Sequence, residues 1–335
     1  MITLLQSSGN PAVDQAIVDV IAAFEQTFPG RVSGFYALGS YADSSAITTS
    51  DIDLTIIFSG AFASDEERDT AQRMATTCAA ASLLELDIEL DDEASLALGA
   101  SPQFKLGSAL LYGDDIRARV PLVSLTWWTR DRMHSSWWRV ARLFARPAVI
   151  TPPLDYPEPA ARYLGYTRRP VRLPDGRMEP GTRDLIRLTG WAATALLAHQ
   201  CGVYVARKGE SHTLYRQQIG GEWADLLDDI YALCRLRWSY RIPPDPAEQE
   251  QLRAICAQTL DFERHFLAIY RPYLLDELHG ADPAGALFAA EMLQRAPLCD
   301  PVVIAALATL AERDGEPVAP VARAALAKLT KLTSG

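Results

Sequence analysis

Cysteine, lysine and long apolar runs are all scarce in this 335-residue chain. The five cysteines (Cys78, Cys201, Cys234, Cys256, Cys299) are widely scattered and form no CxxC pair. That excludes a disulfide scaffold and a cysteine-based metal site, and reads as free thiols in a reducing cytoplasm. The five histidines (His134, His199, His212, His265, His279) show no HxxxH or HExxH spacing, so none is given a metal role. No stretch approaches the ~18 uninterrupted apolar residues of a membrane span. Met1 to Asn10 lacks the basic start and apolar core of a signal peptide. A cytoplasmic protein without a membrane partner is expected. Hydrophobic residues at 49% and charged residues at 22% exclude a wholly disordered chain. The length suggests two or three domains at about 100–200 residues each.

Charge is unevenly placed. Residues 1–120 carry a net charge of −12, residues 121–216 one of +8, and residues 217–335 one of −6. An acidic first third is a poor surface for a polyphosphate backbone, but suits divalent cations or a polycationic substrate. The arginine-rich middle could receive phosphates. Only four lysines accompany 28 arginines, a bias that genome composition alone would produce.

Helix and strand patterns alternate through the first 120 residues. The spacing predicts a helix over 14–28, a strand over 32–38, a strand over 51–58 and a helix over 65–81 opened by Ser64. Leu83 to Leu90 alternates, with Leu84, Leu86, Ile88 and Leu90 on one face and Glu85, Asp87 and Glu89 on the other. Glu85, Asp91, Asp92 and Glu93 read as solvated charges. A short strand or a helix-to-strand segment follows over 106–112. Beyond Thr126 the strand signal fades into a Trp/Arg-rich helix (129–144) and a proline-rich crossing that includes Pro147, Pro152, Pro153 and Pro174. Helices are expected at about 181–201, 211–219, 222–239 and 246–278. Two Ala/Leu-rich helices, 300–310 and 317–329, have a HEAT-like look, or form a two-helix cap. The expected class is α+β: a small mixed sheet with helices (1–120), an all-α helical domain (121–280) and a short HEAT-like helical tail (281–335).

The densest chemistry lies in Leu38-Gly39-Ser40, ten intervening residues, then Asp51-Ile52-Asp53-Leu54. Glycine allows close backbone approach at a turn, and serine adds a hydroxyl. A helix beginning there could hold phosphate on its free N–H groups. Asp51 and Asp53, two apart on a strand, share one face and can share a metal ion. A third carboxylate comes from Leu86-Asp87-Ile88-Glu89-Leu90, either Asp87 or Glu89, as metal ligand or as base.

The segment LGSYADSSAITTSDIDLTI, with LDIEL downstream, resembles the nucleotidyltransferase superfamily typified by DNA polymerase beta. The resemblance covers residues 12–120, including KLGSALLYGDDI. It implies the polymerase-beta-like fold, two Mg²⁺ ions on Asp51, Asp53 and Asp87, and a nucleotide held at Gly39, Ser40 and Ser50. A weaker resemblance ties RDLIRLTGWAATALLAHQCGVYVARKGESHTLY to the helical domain of aminoglycoside adenylyltransferases. It implies that Lys208 contacts the triphosphate, with Arg207 and Arg216 as neighbouring alternatives. The Leu-carboxylate pair that opens the corresponding strand in those enzymes matches Leu86-Asp87.

The expected activity is transfer of a nucleoside monophosphate, AMP from ATP by resemblance, onto a hydroxyl of a small acceptor such as an aminoglycoside-type antibiotic. Pyrophosphate would be released. An RNA or protein acceptor, or a non-catalytic nucleotide-binding module, remains open. Trp127, Trp128, Trp137 and Trp138, interleaved with arginines, offer either a base-stacking platform or helix-packing aromatics.

Overall fold

Asn10 opens the first helix, α1 (Pro11–Thr27), by accepting a hydrogen bond from the Ala12 amide, while Pro11 sits where no N–H is needed. The computed structural model describes residues 2–173 and 176–333. Pro174 of the proline-rich crossing and the last two residues of the tail lie outside them.

The chain is α+β, with a small mixed sheet and many helices. Strands β1 (Val32–Leu38), β2 (Ile52–Phe58), β3 (Leu86–Asp92) and β4 (Ala109–Gly113) form one sheet in the order β3-β2-β1-β4. β1 runs antiparallel to β2 and β4, whereas β2 and β3 are parallel. A parallel pair needs a long crossover, and α2 (Asp65–Ala81) supplies it. Ser64 caps α2 by accepting from Glu67 N.

Alternation sends two sets of side chains to opposite faces. On one face Phe35, Ile52, Leu54, Ile56 and Phe58 pack with Val13, Ile17, Val20 and Phe24 of α1 and with Ala71 and Ala75 of α2. Each fully buried large side chain contributes about 1.5–3 kcal/mol of hydrophobic stabilisation. On the other face Tyr36 and Ile57 lie under Leu96 of α3 (Glu93–Leu98), Phe104 of α4 (Pro102–Gly107), Ala100, Ile116 and Val120. The Tyr36 hydroxyl donates to Asp114 O (2.8 Å) and accepts from Ile116 N (2.9 Å).

The chain divides into two compact units. The first holds residues 1–128 and two later segments, Val171–Glu179 and Tyr204–Ser211. The second holds the remainder and is helical. Along the chain, α5 (Leu125–Arg142) and the short strand pair of β5 (Pro170–Arg172) and β6 (Met178–Pro180), most of which belongs to the first unit, are followed by α6 (Arg183–Leu196), α7 (Ser211–Gln218) and α8 (Glu222–Asp229). They are followed by α9 (Pro246–His279), α10 (Pro283–Arg295), α11 (Pro301–Ala311) and α12 (Val318–Thr333). α6 and α8 continue as π-turns over Leu197–Cys201 and Ile230–Arg237. α9 packs against α6, α8, α10 and α11, and α12 packs on α10 and α11. Two buried sets of charge in this unit are tightly paired: Arg146 with Glu263, which also accepts from the Tyr166 hydroxyl, and Arg130 with Glu277 and Asp282.

Several expectations need correction. β2 begins at Ile52, so Asp51 precedes the strand. β3 runs to Asp92 rather than stopping at Leu90. Of the two readings of 106–112, the structure takes the helix-to-strand one: the end of a helical turn started by Ser101 and Pro102, followed by β4. Asp92 is no solvated charge: it is 3% exposed, caps α3 by accepting from Ser95 N, and accepts from Phe62 N. Glu93 accepts from Ser33 Oγ and Gly60 N. α10 was not anticipated, and it makes the tail three helices. Of the four tryptophans, Trp128 and Trp137 are core, with Trp137 stacked on Tyr270 at 5.5 Å, whereas Trp127 and Trp138 are 44% and 40% exposed.

Candidate active site

β1 ends at Leu38, paired in register with Asp53 of β2. The chain then turns sharply at Gly39 (φ +62°), and a Cβ there would lie 2.5 Å from Asp53 Oδ2. Any side chain at 39 would therefore both strain the backbone and collide with the carboxylate. Gly39–Tyr41 is a single 3₁₀ turn rather than the start of a helix. The condition for phosphate binding on a helix N-terminus after Gly39-Ser40 is not met, because the turn is followed directly by loop structure up to Asp51. Within that loop Ser40 O accepts from Ser45 N (3.0 Å), and Ser50 Oγ accepts from Ile47 N (3.0 Å). Ser40 and Ser50 thus help shape the loop that leads to Asp51.

Asp53 also stands in register with Asp87 on the parallel neighbour β3, while Glu89 stands opposite Thr55. Neighbouring strands run about 4.8 Å apart, so Asp53 and Asp87 are adjacent carboxylates on one face. Asp87 and Glu89 are exposed, Asp51 and Asp53 half-buried. Asp91, one pleat further, faces Ile57 and is pushed up by burial. Leu86 and Ile88 anchor β3 from the opposite face. Tyr41, which sequence reasoning did not single out, lies close enough to Asp51 to feel its charge. Burial first, and then Asp51, push its phenol up.

Among the described residues no three of His, Cys, Asp and Glu converge to hold an ion unaided. The donors at Asp51, Asp53 and Asp87 are hard carboxylate oxygens of the type Mg²⁺ takes, and Mg²⁺ needs only one or two of them beside water and phosphate oxygens. Asp53 and Asp87 fit that ion on chemistry and register, and Asp51 on chemistry.

Lys208 opens a one-turn 3₁₀ segment, Lys208–Glu210. It belongs to the strap Tyr204–Ser211, which is part of the same unit as the sheet. The strap lies on α4: Gln103 Nε2 donates to Val205 O (3.4 Å), and the Tyr204 hydroxyl donates to Val123 O (2.6 Å). A Cβ on buried Gly107 would meet Ala206 O at 2.4 Å. Gly107 is a second position that the sequence reading passed over, although it stands in the quoted KLGS segment. Of the neighbouring arginines, Arg207 pairs with Glu210 (3.1 Å), and Arg216 is held by Asp225 (2.6 Å) and Asp228 (2.5 Å). Arg216 belongs to α7, outside the strap.

No family model and no curated protein matches the chain. Among solved structures it is similar to a spectinomycin adenyltransferase from Enterococcus faecialis, determined with ATP and spectinomycin. The identity is 13% and the TM-score 0.43, over 74% of this chain and 97% of that one. Likeness at that level assigns neither family nor activity.

Proposed function

We propose that the chain is a nucleotidyltransferase that moves a nucleoside monophosphate, AMP from ATP, onto a hydroxyl of a small polycationic acceptor of the aminoglycoside type. The observation that carries this reading is the register of Asp53 with Asp87, with Gly39 pressed against the Asp53 carboxylate. The sequence resemblance implies catalytic roles for Asp53 and Asp87 and a nucleotide-binding role for Gly39. Asp51, Asp53 and Asp87 are the residues that would hold Mg²⁺, whose contribution when bound is to neutralise charge on the phosphates. Asp87 takes the acceptor hydroxyl proton. The hydroxyl oxygen then bonds to the α-phosphorus, and the bond to the β-phosphate oxygen breaks. Pyrophosphate leaves with that electron pair. Lys208, as the resemblance implies, is the point charge for the leaving phosphates, a role that needs no fixed fork geometry.

An RNA acceptor finds less support. The basic stretch that suggested it spends Arg130 and Arg146 on internal carboxylates and Arg142 on the carbonyls of Arg295 and Pro147. Pyrophosphate release, measured with four nucleotides crossed against aminoglycosides, RNA and proteins, tests the proposal. Metal-dependent release with an aminoglycoside supports it. Nucleotide binding without release from any pair would make the chain a binding module.

A further inference from the structure

Tyr41 closes the 3₁₀ turn Gly39–Tyr41, and that turn packs against β2. The residue is half-buried, with its ring against the core shared with α1 and α2. Two other tyrosines of the sheet unit spend their hydroxyls on backbone groups. Tyr36 bonds Asp114 O and Ile116 N, and Tyr204 bonds Val123 O. The Tyr41 hydroxyl has no hydrogen-bond partner among the described residues. Phenylalanine would fill the same space with no polar atom to desolvate, so the fold has no need of this hydroxyl.

Among the described residues, the one charge that acts on the Tyr41 phenol is that of Asp51. The backbone agrees with that proximity. The last rung of the β1–β2 ladder joins Leu38 to Asp53, and counting past it sets residue 40 opposite Asp51, with Tyr41 next in the chain. Asp53 is placed by ladders on both sides and by Gly39. Asp51 comes before the first residue of β2 and lies past the last rung on both sides. An ionised carboxylate can only accept, so a hydroxyl that bonds it must donate. Such O–H···O⁻ bonds are short and about twice as strong as neutral ones.

We propose that Tyr41 is a positioning residue for Asp51: its hydroxyl donates to the Asp51 carboxylate and holds that group for the divalent cation. Tyr41 has this role only if Asp51, Asp53 and Asp87 hold the cation, as the proposed function has it. Carboxylates that bind a metal are themselves held by hydrogen bonds, and loss of such a partner typically costs about 10–100-fold in metal affinity.

Mn²⁺ binding to the full chain, read from the electron paramagnetic resonance of the free ion with no nucleotide present, tests this without turnover. Tyr41→Phe should weaken Mn²⁺ binding at least ~10-fold and unfold at the same temperature as the parent, since only the hydroxyl is removed. Asp51→Asn should weaken it at least as much. Tyr112→Phe alters another half-buried tyrosine of the same core, on β4 at the sheet edge opposite β3, and should change nothing. In turnover, Tyr41→Phe should need more Mg²⁺ for half-maximal pyrophosphate release, with kcat at saturating Mg²⁺ retained. Parent-like Mn²⁺ affinity in Tyr41→Phe beside a loss in Asp51→Asn would overturn the role of Tyr41 and leave the metal face standing. An equal loss in Tyr112→Phe would overturn it too, because the effect would then belong to core packing. Parent-like affinity in Asp51→Asn, or no Mn²⁺ binding by the parent, would remove the metal face and the role of Tyr41 with it.

Discussion

In the helical unit Glu263 and Arg146 meet almost without exposure, and Arg130 is gripped by Glu277 and Asp282. In the sheet unit Asp87 stands exposed on β3 with no ion-pair partner among the described residues, directly beside Asp53. Burial makes the first kind of charge costly unless it is paired. Exposure makes the second kind nearly neutral for stability. An acid that holds nothing together, placed next to another acid, adds repulsion to the fold and asks for a use outside it. The contrast separates carboxylates that serve packing from carboxylates available for chemistry.

The sharpest way to break that contrast is to remove Glu263. Glu263→Ala leaves Arg146 buried and uncompensated, and should lower the unfolding free energy by about 3–5 kcal/mol. Urea unfolding measures it, and a loss under about 1 kcal/mol would mean that water reaches the arginine. Next in size is Gly107→Ala, whose new methyl meets Ala206 O. Overpacking of this sort costs about 1–3 kcal/mol. Hydrogen exchange of the 204–211 amides should accelerate, and with Lys208 displaced the nucleotide KM should rise more than kcat falls.

A pH profile probes the buried side of the comparison. His134 is buried, bonded through Nδ1 to the Tyr270 hydroxyl (2.9 Å), and pulled from 6.5 down to about 3 by burial and then by Arg130. Between those values the unfolded chain binds the extra proton, so this histidine's contribution to stability is lost as pH falls from 6.5 toward 3. The slope is at most about 1.4 kcal/mol per pH unit. His134→Gln should flatten that part of the profile, and an unchanged slope would assign the acid sensitivity to other groups. The smallest effect on stability belongs to Asp87→Ala, within about 0.5 kcal/mol, whereas kcat should fall at least ~100-fold if Asp87 is the base. A large drop in unfolding free energy would move Asp87 to the structural side.

Much of the sheet was legible because its signals are local. Ser64 and the acids after it mark the start of α2, and the alternation from Leu86 to Glu89 matches the observed burial. Gly39, Asp53 and Asp87 could be singled out because a turn glycine and strand acids keep their meaning in isolation. What failed depends on distant partners. Asp92 looks solvated until Ser95 and Phe62 are placed around it, and nothing near residue 204 says that the strap returns to α4. Helix α10 did carry a local signal: Asp282-Pro283 repeats the Asp-Pro start seen at Asp245-Pro246 and Asp300-Pro301, where the aspartate caps and the proline occupies the first turn.

Pyrophosphate release with Asp53→Asn, run beside its thermal unfolding curve, tests the central claim most directly. Asn keeps the shape of the side chain beside Gly39 while it removes the charge and turns one acceptor oxygen into an NH2 donor. The account predicts a midpoint within a few degrees of the parent and release at background with every nucleotide and acceptor that the parent uses. Near-normal release at unchanged stability would contradict it, because the Asp53 charge would then serve neither the fold nor the reaction.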